Sequence, residues 1–439
     1  SYSQHRLYIL SKLDLTDRAY QVAEVLLMHG KLDVQAMEQS ISAIIARHDA
    51  LRTTFQDDNG TLVQVVQDQN SDHCSIADRG SLGGTGDQTE ALCRTVVSAM
   101  AQGSDLATGP LIRVELFQLG GDRHALVVIL HHLVTDAWSQ AIFWQELQQF
   151  YSARIANLSP DLAEIQFQYR DFAAWQAQWL ETAEATRQRA YWRAQLQGLT
   201  AVSVPADRPR PPVWTGRGAR YPVKFSKALT RKLRALSRKQ GVTLFMTLMA
   251  AFQCQLHRLT GKDDIAVGTF IANRDLIETE HVMGMFVNTL VVRTDLSGDP
   301  PFLDLLQRVK QTALRAYENQ NLPFEFVLRE IKAPRSSGRS GPVQTMFVLQ
   351  SAPPEVPRLD GLTTRFLEVD PKISRADLTL ELFDQTDNLR GWIEYSTDLF
   401  DETTIARISA QLDTLLKSIV TEPTGSVSRL DLLTGKQKR

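Results

Sequence analysis

The chain is poor in cysteine. Cys74, Cys93 and Cys254 are spread over 439 residues with no CxxC spacing, which argues against both a disulfide framework and a zinc site. Charge imbalance is also lacking: 48 Lys and Arg against 50 Asp and Glu leave a net charge of −2. That argues against a nucleic-acid binder working by counterion release. No apolar run approaches the roughly 20 residues of a spanning helix. The opening SYSQHRLYILSKLDL has no long apolar core of the signal-peptide kind. The expectation is a cytoplasmic protein that engages neither membrane nor nucleic acid. A start on Ser1 rather than methionine points to a piece of something longer.

What is present is ordinary globular material. Hydrophobic residues make up 43% and charged ones 22%, enough to bury a sizeable core. The length favours two or three domains. Met37, Ile41, Ile44, Ile45 and His48 recur at helical spacing. A strand is expected at 61–66 (TLVQVV), and a Gly-rich loop at 78–88. PLIRVELFQLGGDRHALVVILHH reads as a β-hairpin: Ile112, Val114 and Leu116 alternate, Gly-Gly turns, and a fully apolar strand follows. Next comes an amphipathic helix with Trp138, Ile142, Phe143, Leu147, Phe150 and Tyr151 on one side. Pro205, Pro209, Pro211 and Pro212 stiffen the segment 204–218, the best candidate for a linker. Further helices and strands follow (LTRKLRALSRKQG, TLFMTLMAAFQCQLHRLTG, DIAVGTF, FVNTLVVRTDL), with a loop at 332–342. The texture is α/β (α+β) in two lobes of related design.

The chemistry concentrates at His131, His132 and Asp136. Consecutive strand residues point to opposite faces, so the two imidazoles cannot share one cleft while the strand lasts. This disfavours a metal reading, since no third ligand stands at a familiar spacing. One imidazole at a strand end, before a helix, suits acid–base work near neutral pH. Asp136 is a helix N-cap, an ionised partner that fixes the loop, or both.

As a set, the motifs resemble a family. HHLVTDAWS (131–139) is similar to the HHxxxDG signature of condensation domains of non-ribosomal peptide synthetases. SYSQHRLYIL, RHDALRTTF (47–55), YRDFAAWQ (169–176), VGTFIANR (267–274), MGMFVNTLVVR (283–293) and NQNLPFEFVL (319–328) resemble further family elements in order. The resemblance implies two chloramphenicol-acetyltransferase-like lobes in a V shape with a central tunnel. The division expected is 1–180, an inter-lobe helix and Pro-rich linker at 181–218, and 219–439. It implies catalysis by His132, with His131 serving the fold and Asp136 paired with Arg274 across the lobe boundary. Ala137, Trp138 and Asn288 would line the substrates' path. No metal or bound cofactor is implied; substrates ride on phosphopantetheine of carrier proteins, or on CoA. An aminoacyl carrier protein and an adjacent adenylation domain would be partners.

Two departures stand out. The motif glycine is Ala137, which disfavours a positive φ, and RSSGRSGPVQTMF departs from the family's seventh element. They tilt the reading towards a starter domain that takes a fatty acyl group from acyl-CoA, as in lipopeptide biosynthesis, over an elongating one. The histidine pair excludes the cyclisation branch. Alternatives are a free-standing acyltransferase of the same superfamily and a non-catalytic recruitment module.

Overall fold

A computed structural model describes residues 1–12, 17–59, 61–68, 76–81, 88–330, 343–350, 355–385 and 388–433. The elements in chain order begin with α1 (Tyr2–Lys12), β1 (Gln21–Gly30), α2 (Val34–Arg47), β2 (Thr53–Asp58), β3 (Thr61–Val66) and β4 (Ile76–Ser81). Next come α3 (Gln88–Ala101), β5 (Ile112–Gln118), β6 (Arg123–His131), α4 (Ala137–Ile155), α5 (Tyr169–Trp179) and α6 (Ala183–Gln195). Then follow β7 (Gly218–Lys224), α7 (Lys227–Lys239), α8 (Leu244–Thr260), β8 (Asp264–Ile271), β9 (Asn288–Asp295), α9 (Phe302–Tyr317) and α10 (Phe324–Glu330). The last are β10 (Thr345–Gln350), β11 (Leu362–Leu367), β12 (Leu378–Asp384), β13 (Leu389–Ser396) and α11 (Glu402–Thr421). No described helix is long and apolar enough to cross a membrane.

The chain forms two compact units. The first comprises Ser1–Thr182, Ala272–Val287 and Pro354–Pro371; the second comprises Ala183–Ile271, Asn288–Pro353 and Lys372–Arg439. Segments 272–287 and 354–371 therefore group with the first unit, although a single cut near 181–218 would place them in the second.

The first unit is built on a sheet of order β11-β1-β6-β5-β4. β6 is antiparallel to β1 and β5, with His131 opposite Gln21 and Val128 opposite Glu24. Every residue from Ala125 to His131 is buried, so this central strand reads as a continuous apolar run. On one face Leu126, Val128 and Leu130 meet Ile41 and Ile44 of α2 and Phe143 and Leu147 of α4 in one core. Asp33 caps α2 by accepting from the Ala36 amide at 2.9 Å. At the far end of α2, Glu146 of α4 takes hydrogen bonds from Arg47 Nε at 3.0 Å and pairs with buried His48 at 2.9 Å. The helix that follows the histidine motif is thus tied to the sheet-covering layer.

Two sequence expectations change here. Residues 78–81 belong to β4, parallel to β5, rather than to a loop; strand pairing supplies the backbone partners that local composition did not suggest. Trp138 is 46% exposed and lies off the buried face of α4, which is formed by Ser139, Ile142, Phe143, Glu146 and Leu147. The 332–342 loop lies outside the described residues.

The second unit holds a sheet of order β7-β13-β12-β10-β8-β9. α8 is buried from Met246 to Leu256 and ends on Gly261, whose φ of 68° supplies the left-handed cap. The Pro-rich segment is fastened to this unit rather than hanging between two. Arg210 pairs with Asp377, Asp207 accepts from Thr404 and the Asp401 amide, and Thr215 and Arg217 hold Asp398. Proline removes backbone donors but leaves these side chains free to anchor.

Candidate active site

β6 ends on His131, and the chain turns at once into a short 3₁₀ turn, His132–Val134. His131 is fully buried, and its Nδ1 accepts from the Leu133 amide at 3.1 Å. That bond fixes the tautomer and closes the turn. His132 emerges on the next position and keeps part of its surface accessible. From the other side, Gln4 of α1, itself 1% exposed, donates to the Leu133 carbonyl at 2.8 Å. The opening SYSQ element therefore grips the turn that carries His132.

Asp136 caps α4 and is saturated. Its Oδ1 accepts from Ser139 N at 2.8 Å and Ser139 Oγ at 2.7 Å. Its Oδ2 accepts from the amides of Phe286 at 3.0 Å and Val287 at 3.3 Å. Arg274 Nη2 approaches both oxygens, at 3.2 and 3.4 Å. A carboxylate offers about four acceptor positions, so no lone pair is left for a substrate proton. Asp136 is a fastener, not a base.

Arg274 completes the clasp. Its guanidinium donates to the carbonyls of Thr279 and Val282 and to Ser139 Oγ, and lies 4.0 Å from the Phe286 ring centre. Burial pulls its pKa below the ordinary value, and Asp136 pulls it back up. Both partners lie in the first unit, because segment 272–287 belongs there; the pair does not cross a lobe boundary.

The same segment is held by groups that the motif reading passed over. Ser139 Oγ shares its one proton between Asp136 and the Gly284 carbonyl, 2.9 Å away, and accepts from the Gly284 amide at 3.0 Å. Tyr169 donates to the Met285 carbonyl at 2.7 Å, and its ring meets Phe286 edge-on at 4.9 Å. A Cβ on Gly284 would lie 2.0 Å from Tyr169 Cδ2, so only glycine fits. The signals were visible as Ser139 in DAWS and Tyr169 in YRDFAAWQ, but their partners lie more than a hundred residues away.

Three substrate-lining expectations take a different form. Ala137 is the first helical residue of α4 and is not among the positive-φ residues, so a side chain here carries no backbone penalty. Trp138 spends its indole N–H on the Glu280 carbonyl at 2.9 Å. Asn288 is 4% exposed, and its amide is fully used inside the second unit. It donates to Gln320 O and Leu322 O at 2.8 and 2.9 Å and accepts from the amides of Thr289 and Phe324 at 2.9 and 3.1 Å. Asn288 therefore staples a loop and has no hydrogen-bonding group to offer a substrate.

The motif thus presents a partly accessible imidazole near a saturated carboxylate on a mixed α/β unit, an arrangement capable of acid–base chemistry. Comparison supplies the family. The family model described as "Condensation domain" matches residues 1–439, and the chain belongs to that family. Condensation domains are acyltransferases that form amide bonds in non-ribosomal peptide synthesis. A linear gramicidin synthase protein of Brevibacillus parabrevis is 41% identical over 99% of this chain and 6% of its own length. Malpibaldin synthetase of Mortierella alpina is 36% identical over 99% of this chain and 8% of its own. The chain thus spans less than a tenth of either relative. Among solved structures, the X-domain from teicoplanin biosynthesis superposes with a TM-score of 0.90 at 27% identity, over 98% of this chain and 96% of that one. The folds agree, and they are chloramphenicol-acetyltransferase-like.

Proposed function

We propose that this chain joins an acyl thioester donor to the α-amine of an aminoacyl group carried on phosphopantetheine, with His132 as the catalytic residue. The observation that supports this is the division of labour in the motif. Asp136 is saturated and His131 is buried and bonded, so of the three titratable motif side chains His132 is the one that keeps accessible surface. The amine attacks the thioester carbonyl, a C–N bond forms, the C–S bond breaks, and the amine's proton ends on the departing thiol. An α-amine has a pKa of about 7.7–8.0, so a useful fraction is already neutral near pH 7. General-base help is worth roughly 10²–10⁴-fold, and alignment of two tethered reactants adds more. His132 positions the amine and accepts its proton, or stabilises the tetrahedral intermediate.

The donor is a thioester on a carrier protein. The competing reading is a starter domain fed by acyl-CoA, to which the departures at Ala137 and in RSSGRSGPVQTMF point. Intact mass of an aminoacyl carrier protein is the test, after incubation with the chain and either carrier-bound or CoA-bound acyl groups. A mass gain of one acyl group is expected from the carrier-bound donor, reduced about 10²–10⁴-fold in His132→Ala with an unchanged melting temperature. Undiminished transfer by His132→Ala refutes the residue's role, and transfer from acyl-CoA alone makes the chain a starter domain. A free amine accepted as well as a carrier-bound one would make it a free-standing acyltransferase.

A further inference from the structure

β1 carries one misfit. In QVAEVLLMHG, Glu24 stands within an otherwise apolar stretch, on the strand that lies directly beside β6. It is opposite Val128, on the face that carries Leu26 and the α4 layer. Its Oε2 accepts from the indole N–H of Trp144 at 2.5 Å. Trp144 is 1% exposed and meets the Phe366 ring edge-on at 5.2 Å. Oε1 takes no hydrogen bond from the described residues and is not among the atoms sealed from solvent. Glu24 keeps part of its surface accessible while Val25 to Met28 beside it and Trp144 are buried, so Oε1 reaches solvent in a local recess of an otherwise closed layer. Burial pushes its carboxyl up to about 7, against the pull of the indole bond. A carboxyl held where solvation is poor, and anchored by one oxygen only, has its second oxygen available to a ligand.

The recess is in reach of the reaction. Gln21 is opposite His131 at the end of β6, and Glu24 is three residues further along β1. At a rise of about 3.3 Å per residue, that places Glu24 about 10 Å from the strand end that delivers His132. We infer that Glu24 is a specificity-determining residue that reads a hydrogen-bond-donating group, an amine, amide or hydroxyl, carried about 10 Å from the reacting carbonyl. Trp144 is its positioning partner, which holds Oε2 and leaves Oε1 to meet a ligand. The inference rests on the amide-forming reading and adds the chemistry of what that site selects. The group belongs to either the donor acyl chain or the acceptor's side chain, and two arms of one experiment separate them.

In the donor arm, acyl pantetheine thioesters are paired: one ends in an amine or hydroxyl, its isostere in a methyl. In the acceptor arm, the aminoacyl carrier protein is loaded with the same kind of pair. The full chain, Glu24→Gln and Glu24→Leu are compared by kcat/KM for each pair, after melting curves show that each is folded. In one arm the parent prefers the donor-bearing substrate by roughly 10–100-fold, the worth of a hydrogen bond to a charged group. Glu24→Leu abolishes or inverts that preference while still turning over the apolar partner, and Glu24→Gln keeps part of it. Equal ratios for parent and Glu24→Leu in both arms overturn the inference. Titration calorimetry of the same thioesters needs no turnover. A chain without condensing activity therefore refutes the amide-forming reading, and the affinity ratio still decides the role of Glu24.

Discussion

Asp136→Ala tests the clasp around segment 272–287 most directly. The side chains of Asp136 and Arg274 are 5% and 2% exposed. Removing the carboxylate leaves a buried guanidinium without its counter-charge and takes the acceptor from the amides of Ser139, Phe286 and Val287. Breaking a buried pair from one side costs about 3–5 kcal/mol, because the surviving charge is left uncompensated. For a unit of roughly 200 residues each kcal/mol moves the melting temperature by about 2–4 °C, so a fall of about 6–20 °C is expected. Circular dichroism melts with urea titrations read it. The control is Glu90→Ala, which breaks an ion pair with Arg94 whose side chains are 70% and 67% exposed. Exposed pairs contribute about 0–1 kcal/mol, so that variant should melt with the parent. Replacing both partners, Asp136→Ala with Arg274→Met, should recover stability relative to Asp136→Ala alone, since no buried charge is left behind. The carboxylate has no free lone pair, so active protein that survives should keep the parent's pH–rate profile. A melt within about 2 °C of the parent, or a double variant as poor as the two losses combined, would refute the reasoning.

Other perturbations separate the remaining roles. Glu24 ionises near 4.5 when unfolded and at about 7 when folded. The unfolded chain therefore releases its proton first, and folding stability falls as pH rises between those values. Glu24→Gln should accordingly gain on the parent from pH 4.5 to 8, by up to about 3 kcal/mol less what water at the exposed part recovers. Equal pH dependence of urea midpoints would contradict this. Gly284→Ala drives a methyl to 2.0 Å from the buried Tyr169 ring and should cost about 3 kcal/mol or more. Tyr169→Ala in the same background should relieve the clash, and a failure to do so would show that the ring is not the obstacle. Asn288→Ala strands two carbonyls and two amides. It should lower stability by about 2–4 kcal/mol with KM unchanged in the protein that remains folded; a rise in KM without a stability change would make it a substrate ligand after all.

Much of the local structure was legible in the sequence because its causes are local. The spacing of Met37, Ile41, Ile44 and Ile45 fixes which side of α2 is buried, and Asp33 marks its start. The apolar run before His131 announces a strand covered on both faces, and Gly-Gly turns the hairpin into it. His131 and His132 do part company, one into the core and one towards accessible surface, but the cause is the turn that begins at His132 rather than alternation along the strand. The order of the motifs was enough to point to the family. Pairing over long separations was not readable, because strand and side-chain partners are chosen by the packing of the whole unit. Nothing in TTRFL shows that β11 joins the sheet beside β1, or that the 272–287 segment belongs to the first unit. Asp136 finds Arg274, Phe286 and Val287 only once those chain segments are brought together, and there it is both helix cap and ionised partner. Asn288, an expected substrate contact, becomes a loop staple through partners more than thirty residues away. Glu24 went the other way. In the sequence it is one acid in a strand, and only its burial beside Trp144 gives it a chemistry. Sequence specified the elements and their faces, since propensity and periodicity act over a few residues. Tertiary structure decided the roles, since burial and hydrogen-bond saturation depend on atoms that only the folded chain brings within 3 Å or so of one another.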